Sequence, residues 1–362
     1  MKYLTIVIIL AMFVSFAFSA EKTEQTADDP AKIKADIKSS IEKGIEYILK
    51  QQNEDGSFSE THMNPAVTGL VIASIAGSPL RDKYIKTEAF DKALNYVLKC
   101  VKEDGGIYND DLAQNYHTSI CLSALASIND PKYAEQIKKT QEFIKSLQAG
   151  NKFELESADE QNKGGWGYRK GFKGADMSNT QFALTALKES GLTADDDVWK
   201  RALEFVEKCQ NKVDGGGIYR PNESKAGVDE KGNYRSYQSM TYSGLLSFIY
   251  ANVDRDDERV KAAVKWIMKN WNLEENVPMG KQGLYYNYHT MAKALSAYGE
   301  KYLTDDKGVK HDWYRELAQT LLKQQNKEGY WINESDRWFE TDKILVTTYA
   351  LLALNQGYEG YK

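Results

Sequence analysis

The chain has 362 residues, of which 42% are apolar and 27% are charged. This composition is typical of a folded globular protein, and it excludes a collagen-like chain, a disordered chain and a protein that crosses a membrane many times. The net charge is −5 at pH 7. A nucleic-acid partner is therefore not expected, because neutralising phosphates requires a basic face.

The first twenty residues have the pattern of a secretory signal peptide. Lys2 is the only charge among them, and small residues follow the apolar stretch at positions 17, 19 and 20. This stretch is shorter than the roughly 20 residues that a membrane-spanning helix needs. We therefore predict cleavage and a secreted or periplasmic protein, with an uncleaved N-terminal anchor as the alternative. Residues 21–36 are predicted to form a flexible polar lead-in, and residues 37–358 a single domain.

Two kinds of helical segment alternate six times along this domain. The first kind is amphipathic, with Lys and Glu on one side, as expected for a half-buried helix. The second kind is apolar almost all round and rich in Ala, Ser and Gly, so it should be buried on all sides. Its copies begin at Thr68, Thr118, Thr180, Thr241, Thr290 and Thr347. The copy at Thr290 aligns least well with the others.

This alternation predicts an all-α fold, namely an α/α toroid, or (α/α)6 barrel, of six helical hairpins. The buried helices would form an inner ring and the amphipathic helices an outer ring. An open solenoid is the alternative, but its two end repeats would need polar caps. The first and last repeats are as apolar as the middle ones, which favours a closed ring.

Long connections lead from the outer helices into the inner helices, at residues 148–178, 211–238, 272–288 and 326–344. Loops of this length are usually functional or disordered, and their glycine and aromatic residues favour function. They approach the N-terminal ends of the inner helices, where unpaired N–H groups create a positive field. We therefore predict a ligand site at this mouth of the ring. Alternatively, the aromatic side chains only fill gaps between loops and helices. The predicted ligand-binding residues are Tyr116, His117, Trp166, Tyr168, Asn179, Thr180, Tyr285, Tyr286, Tyr288, Arg337 and Trp338.

A glutamine, a short spacer and Gly-x-aromatic occur at Gln52–Phe58 and Gln325–Trp331, with looser versions at Gly106–Tyr108 and Gly165–Trp166. This pattern resembles the repeat shared by squalene–hopene cyclases, oxidosqualene cyclases and protein prenyltransferase β subunits, the prenyltransferase/squalene oxidase repeat family. The resemblance covers about residues 40–355 and implies an α/α toroid. It is weaker as an indication of function, because one fold hosts many activities.

Triterpene cyclases of that family protonate their substrate with an Asp-x-Asp-Asp-Thr motif that opens an inner helix. The matching stretch here is Asp176–Thr180. It keeps the first Asp and the Thr, but Ser178 and Asn179 replace the other two carboxylates. Because an amide cannot serve as a strong general acid, we expect protonation of an alkene by that route to fail.

Prenyltransferase β subunits of that family hold zinc with an Asp-x-Cys pair and a distant His in a Tyr-His-Thr context. Tyr116–Thr118 and Tyr288–Thr290 match the His segment, but Asp-x-Cys occurs nowhere in the chain. Catalytic zinc needs three protein ligands. We therefore predict neither a metal nor another cofactor, and we expect His117 and His289 to cap inner helices or to hydrogen-bond across the mouth.

The chain has three cysteines, Cys100, Cys121 and Cys209, each within an apolar helical pattern. An odd count in such a context favours buried free thiols. A disulfide between Cys100 and Cys209 is the alternative.

Two segments that lead into neighbouring inner helices, residues 283–290 and 337–342, are expected to meet at the mouth. Together they supply a base, two acids, a cation and aromatic rings. With the retained motif aspartate, the candidates for catalysis are Asp176, His289, Glu340 and Asp342. Arg337 would orient an anion. The alternative is a structural rim held by salt bridges.

The leading interpretation of these patterns is an exported protein that holds a small hydrophobic ligand, such as an isoprenoid or another lipid, in its central cavity. Any chemistry would be that of a terpene-cyclase-like isomerase, although whether the chain is an enzyme stays open at this stage. Peripheral contact with a membrane is compatible with this interpretation. The alternatives are a carbohydrate-active toroid, lyase- or glycosidase-like, and a non-catalytic protein-interaction toroid.

Overall fold

The structure is a computed structural model that describes residues 29–59, 63–110, 112–150, 159–170 and 174–361. The predicted signal peptide and residues 21–28, the first half of the predicted lead-in, lie outside these ranges. Within them, no helix is both long enough and apolar enough to cross a membrane.

Helices dominate the described chain. In chain order they are α1 (Pro30–Leu49), α2 (Ala66–Ala76), α3 (Arg81–Tyr84), α4 (Glu88–Lys99), α5 (Gln114–Ile128), α6 (Ala134–Ser146), α7 (Met177–Glu189), α8 (Asp197–Lys208), α9 (Gln238–Tyr250), α10 (Glu258–Lys269), α11 (Leu284–Tyr298), α12 (Trp313–Gln324) and α13 (Lys343–Tyr358). Short 3₁₀ turns lie at Pro131–Tyr133 and Arg337–Phe339, and an antiparallel hairpin of β1 (Tyr302–Thr304) and β2 (Lys310–Asp312) connects α11 to α12. The hairpin and the single-turn α3 are additions to the predicted twelve helices.

The inner helices α2, α5, α7, α9, α11 and α13 form a closed ring. Each packs against the next along the chain, and α13 packs against α2. Every residue of α9 from Gln238 to Phe248 is buried, as expected for an inner helix. The outer helices bury one face only: α8 buries Val198, Ala202 and Phe205 at a spacing of three to four residues. The predicted all-α toroid and its closure are confirmed.

The first helix begins earlier than the sequence analysis predicted. Residues 30–36, assigned to a flexible lead-in, belong to α1. The Asp29 side chain accepts a hydrogen bond of 3.0 Å from the backbone N–H of Ala31, and Pro30 stands at the first helical position, which it favours. Ile33 and Ile37 are both buried, so the apolar stripe of α1 starts within the predicted lead-in, at Ile33.

A glutamine at the end of four outer helices bonds neighbouring repeats together. In each case the side-chain amide donates one hydrogen bond to the carbonyl of the following loop glycine and one to a carbonyl of the next outer helix. These residues are Gln52, Gln148, Gln210 and Gln325. Gln325 reaches the Ser40 carbonyl of α1 over 2.9 Å, so the last repeat is bonded to the first in the same way as the others.

A threonine near the start of five inner helices holds the long loops in place. Its hydroxyl accepts a hydrogen bond from a backbone N–H of the Gly-rich, aromatic segment before the helix. The five are Thr68, Thr118, Thr180, Thr241 and Thr347. Thr290 instead donates to carbonyls of its own helix, α11. This difference is the structural counterpart of the less regular fifth copy of the repeat.

Cys100, Cys121 and Cys209 are buried free thiols, as predicted, and the alternative disulfide does not form. Burial raises the pKa of the Cys121 and Cys209 thiols well above the ordinary value. They therefore stay protonated and are poor nucleophiles.

Candidate ligand-binding site

A cavity of about 390 Å³ opens at the N-terminal ends of the inner helices, which is the end that the long loops predicted. We call it the upper cavity. Aromatic and aliphatic side chains form most of its wall. The described residues that line it are Met63, Leu112, Ala113, Tyr116, Tyr168, Ser178, Phe182, Tyr219, Tyr237, Ser239, Met240, Tyr286, Trp338, Phe339, Glu340, Leu345 and Tyr349.

Four rings from four inner helices close the floor of the upper cavity. Tyr116 meets Phe182 edge-on at 5.2 Å between ring centroids, Phe182 lies 6.0 Å from Tyr286, and Tyr286 lies 6.1 Å from Tyr349. The side chains of Tyr349 and Tyr116 lie close enough for each to affect the other's pKa, which completes the circle. We call these four residues the aromatic belt. Because Phe182 also lines a second cavity beneath the belt, the belt divides the interior of the ring into two chambers.

Ser178, the third residue of the matched Asp176–Thr180 stretch, places a hydroxyl group in the floor of the upper cavity. Its Oγ lies 3.2 Å from the Tyr286 hydroxyl, which is also 3.4 Å from the Ser243 Oγ. Burial raises the pKa of Tyr286 to about 12, so this phenol is neutral at physiological pH. The cluster can donate and accept hydrogen bonds, but a hydroxyl group is too weak an acid to protonate an alkene.

Asp176 stands behind the wall of the upper cavity. It caps α7, and its carboxylate accepts hydrogen bonds from the Asn179 backbone N–H at 2.8 Å and from the Asn179 side chain at 3.0 Å. Tyr219 lies close enough to the same carboxylate for each group to affect the other's pKa, and it is Tyr219 that lines the cavity. Complete burial raises the pKa of Asp176 to about 6, despite these hydrogen bonds and the nearby Arg220.

Glu340 is the one carboxylate among the described residues of the lining. It comes from the loop before α13 but caps the neighbouring helix α11, where it accepts hydrogen bonds from the backbone N–H groups of Tyr285 at 3.2 Å and Tyr286 at 2.8 Å. The Asn333 side chain donates to it as well. Burial nevertheless raises the pKa of Glu340 to about 7. The two segments expected to meet at the mouth therefore meet through this carboxyl group, which can carry a proton near neutral pH.

Asp342, two residues further on, has a different place. Its side chain accepts hydrogen bonds from the backbone N–H groups of Ile344 at 2.8 Å and Leu345 at 3.1 Å, so it caps its own helix, α13. It lies outside the upper-cavity lining and borders a shallow outer groove instead. Arg337 donates to Gln282 and likewise lies outside the lining.

Trp338 and Phe339 form an exposed part of the mouth. They are 41% and 46% exposed, and both adopt positive φ angles, +58° and +63°, which are unusual for large side chains. The guanidinium of Arg337 lies 4.3 Å from the centre of the Trp338 ring. A Cβ atom at Gly283 would approach that ring to 2.8 Å, so a glycine is required where the two segments cross.

His289 lies below the aromatic belt rather than at the mouth. Its ring stacks on Tyr349 at 5.6 Å and lines the second cavity, not the first. Burial, with a smaller effect of Lys293, lowers the pKa of His289 to about 3, so the imidazole is neutral. The structure thus does not bring His289, Glu340 and Asp342 into one chamber.

Of the predicted ligand-binding residues, Tyr116, Tyr168, Tyr286 and Trp338 line the upper cavity. The other predicted residues lie outside the lining, where they hold helices and loops together or stand beside the cavity. They are His117, Trp166, Asn179, Thr180, Tyr285, Tyr288 and Arg337. Trp166 illustrates the framing role, because its indole N–H donates to the Ile144 carbonyl at 2.8 Å and the side chain is fully buried. His117 is also fully buried, and no group of three His, Cys, Asp or Glu residues that could hold a metal occurs in the described ranges.

Sequence reasoning missed several residues of the wall, above all Phe182, Tyr219, Tyr237 and Tyr349. Phe182 and Tyr349 follow a repeat threonine by two residues, at Thr180 and Thr347. A large ring at that position of a helix otherwise rich in small residues was the available signal. The inner helices pack closely, so such a ring fits only where it points into the central cavity.

Family models match two parts of the chain. The model of the squalene-hopene cyclase C-terminal domain matches residues 66–276, and that of the prenyltransferase α-α toroid domain matches residues 4–91. The chain belongs to the squalene-hopene cyclase C-terminal domain family. The resemblance stated from the repeat pattern is confirmed. A comparison of this chain with curated protein sequences found no match.

Solved structures share the fold of this family member at low sequence identity. The type II terpene cyclase MstE from Scytonema, in complex with geranylgeranyl dihydroxybenzoate (substrate), is 14% identical, with coverage of 91% of this chain and 99% of that chain and a TM-score of 0.56. A family 76 glycoside hydrolase from a bovine Bacteroides thetaiotaomicron strain is 11% identical, with coverage of 89% and 78% and a TM-score of 0.60. An α-1,6-mannanase of Salegentibacter in complex with α-1,6-mannotriose is 10% identical, with coverage of 91% and 99% and a TM-score of 0.57. At these identities the likeness is one of fold alone.

Proposed function

We propose that the upper cavity binds the branched hydrocarbon chain of an isoprenoid. The observation that carries this proposal is the wall itself, in which aromatic and aliphatic side chains surround a cavity of about 390 Å³. Such cavities gain most of their affinity from apolar contact and use a few polar groups to orient the ligand. The family membership and the isoprenoid-derived substrate held by the terpene cyclase MstE support the same ligand class.

The expected affinity follows from burial of the hydrocarbon. Each buried CH₂ group contributes about 0.8 kcal/mol, so ten carbon atoms in contact with the wall contribute roughly 8 kcal/mol. Ordering the ligand and losing its translational freedom offset several kcal/mol of this gain. Contacts with a longer chain compensate for that loss, and a dissociation constant of roughly 1–10 μM is the expected result.

The polar groups of the wall place the ligand's head near the mouth. Glu340 would bind the polar head of the ligand, because its carboxyl group, when protonated, can donate a hydrogen bond to a hydroxyl or carbonyl oxygen. The same carboxyl would be the proton donor of any isomerase-type reaction. An acid with a pKa near 7 is too weak to protonate an isolated alkene, so the proposal covers binding and not squalene cyclisation. Binding outside the cytoplasm follows only from the predicted signal peptide and is part of the proposal.

A carbohydrate substrate is the rival, given the toroid shared with family 76 glycoside hydrolases. A glycosidase needs two carboxyl groups that face the same glycosidic bond. The described lining provides one, Glu340, while Asp176 lies behind Tyr219. This arrangement favours the isoprenoid.

Titration of the purified mature protein with geranylgeraniol and with squalene, followed by tryptophan fluorescence, tests the proposal. Ala113 lines the upper cavity, so Ala113→Phe should fill it and weaken binding at least tenfold. Ala134→Phe, the same change on the exposed start of α6, is the matched control and should bind as the wild type does. Equal affinity in both variants, or saturation by α-1,6-mannotriose and not by either isoprenoid, would overturn the proposal.

A further inference from the structure

The space inside the ring is interrupted partway along its axis. A second cavity, of about 400 Å³, lies beneath the aromatic belt at the C-terminal ends of the inner helices. We call it the lower cavity. Phe182 is the one described residue that lines both cavities, and its side chain is only 6% exposed. The Phe182 ring is therefore the partition between two spaces of nearly equal size.

One face of α7 passes this partition from the upper cavity to the lower. Ser178 lines the upper cavity, Phe182 lines both, and Thr185 lines the lower cavity. Spacings of four and three residues place the three side chains one above another on the same face of the helix. Since the residues above and below it are small, the Phe182 ring is the bulky group that α7 places between the two cavities.

Neighbouring rings hold the partition in place. Tyr116 meets Phe182 edge-on at 5.2 Å between ring centroids, and Tyr286 lies 6.0 Å away. The Tyr286 hydroxyl is itself fixed by its contacts with the hydroxyls of Ser178 and Ser243. Phe182 carries no polar atom in its side chain. Removing its ring would therefore open the partition without leaving a buried hydrogen-bonding side chain unpaired.

The volumes of the two cavities translate into chain lengths. Benzene fills an apolar protein cavity of about 150 Å³, which corresponds to about 25 Å³ for each carbon atom. On this scale the upper cavity holds roughly 15 carbon atoms. The two cavities joined into one would hold roughly 30 carbon atoms. With its head near Glu340 at the mouth, a chain of the greater length would have to leave about half of its carbon atoms in water.

The lower cavity could receive hydrocarbon if the partition were open. Leu70, Ile120 and Leu352 give it aliphatic wall. Its two charged residues, Lys293 and Glu189, neutralise each other in an ion pair with 2.5 Å between Nζ and Oε1. An isoprenoid tail that passed the position of the Phe182 ring would therefore find further apolar contacts.

We propose that Phe182 determines the length of the isoprenoid that the chain binds, by closing the upper cavity at a depth of roughly 15 carbon atoms. Isoprenoids of 15 to 20 carbon atoms fit, with the last few atoms against Trp338 and Phe339 at the mouth, and isoprenoids of 30 carbon atoms are selected against. This inference rests on the proposed isoprenoid site and adds the size of its ligand.

Competition between prenols of different length tests the role of Phe182. The full mature chain is incubated with phosphatidylcholine vesicles that carry equal amounts of geraniol, farnesol, geranylgeraniol and all-trans hexaprenol, which have 10, 15, 20 and 30 carbon atoms. The protein is then separated from the vesicles, and its bound prenols are measured by mass spectrometry. Comparing each variant with the wild type cancels the different partitioning of the prenols into the vesicles. The quantity of interest is the bound ratio of hexaprenol to farnesol.

Phe182→Ala should raise this ratio at least tenfold over that of the wild type. The reason is that each carbon atom moved from water into an apolar site strengthens binding about fourfold, and the variant admits many more of them. Phe248→Ala is the matched control, because Phe248 is an equally buried ring on the inner helix α9 that lines neither cavity. It should keep the ratio within threefold of the wild type. Phe182→Leu, a milder change that serves if Phe182→Ala fails to fold, should raise the ratio at least threefold.

A second substitution locates the tail of the longer prenol. Ala126 lines the lower cavity, so Ala126→Phe fills part of that space. In the wild-type background it should leave the ratio unchanged, because the tail does not pass Phe182. In the Phe182→Ala background it should reduce the gain at least threefold. Non-additivity of this kind is expected only if both positions contact the same ligand.

The possible failures are distinguishable. If the wild type binds no prenol, the proposed isoprenoid site and the role of Phe182 are both refuted. If prenols bind and Ala113→Phe weakens their binding, but folded Phe182→Ala or Phe182→Leu keeps the wild-type ratio, only the role of Phe182 is refuted. A wild type that already binds hexaprenol more tightly than geranylgeraniol, once corrected for partitioning, would also overturn that role.

Discussion

The carboxyl group of Glu340 should make the folded chain lose stability as the pH rises. Burial raises its pKa from 4.5 to about 7 in the folded state. The folded chain therefore holds this proton more tightly than the unfolded chain does. The resulting stabilisation is complete below about pH 4.5, falls as the pH rises, and is lost above about pH 7. At about 1.4 kcal/mol for each pKa unit, the shift of about 2.5 units amounts to about 3.5 kcal/mol.

Urea unfolding of the wild type and of Glu340→Gln at pH 5, 6, 7 and 8 measures this effect. The glutamine keeps the shape of the side chain and one acceptor oxygen for the N-terminus of α11, but it does not titrate in this range. Between pH 5 and pH 8 the wild type should lose about 2.5 kcal/mol of unfolding free energy relative to the variant, because part of the stabilisation is already lost at pH 5. Asp176 is present in both proteins, so its titration cancels in the difference. Glu334→Gln, in the same loop at an exposed position, should keep the wild-type pH dependence. Parallel curves for the wild type and Glu340→Gln would refute the burial argument.

Three further changes test the frame of the ring. Gln325→Leu removes the amide that joins the last repeat to the first and should cost about 2–4 kcal/mol, a fall in Tm of roughly 3–6 °C by calorimetry. The exposed Gln161→Leu should leave Tm within about 1 °C of the wild type, and an equal fall would contradict the role of the bond. Thr180→Val leaves the buried backbone N–H of Trp166 without its acceptor and should cost about 1–3 kcal/mol in urea unfolding; a neutral result would show that the loop has another anchor. Because burial lowers the pKa of His289 from 6.5 to about 3, the wild type should lose stability as the pH falls from about 6.5 towards 3, and His289→Phe should lose less; identical acid denaturation would count against a buried neutral imidazole.

The ring itself was predictable because its determinants repeat. The six threonines mark the inner helices, and their uniform apolarity indicates that no face of those helices meets water. The long loops before them predicted which end of the ring would hold a cavity. Periodicity carries this information because it reports which helix face is buried, and that property is local to each segment.

The members of the site were less predictable, because loop side chains are placed by partners distant in sequence. Glu340 and Asp342 are two residues apart, yet one caps α11 and faces the upper cavity while the other caps α13 and faces outward. Trp166 is aromatic and lies in a long loop, but its indole bonds to the end of α6. His289 belongs in sequence to the segment that enters the mouth. In the structure it lies one helical turn too deep to line the upper cavity, beneath the aromatic belt. None of these outcomes follows from residue type and spacing alone.

The bond between Gln325 and Ser40 has a consequence for chain order. The joint between the last and first repeats has the same chemistry as the joints inside the chain, and nearby the Lys34 side chain donates to the Tyr361 carbonyl at 3.1 Å, so residues 34 and 361 lie side by side. Connectivity is therefore a minor determinant of this architecture. A circular permutant, with these neighbouring ends linked and new termini opened in an exposed connection such as the one between α7 and α8, would retain every joint and both cavities.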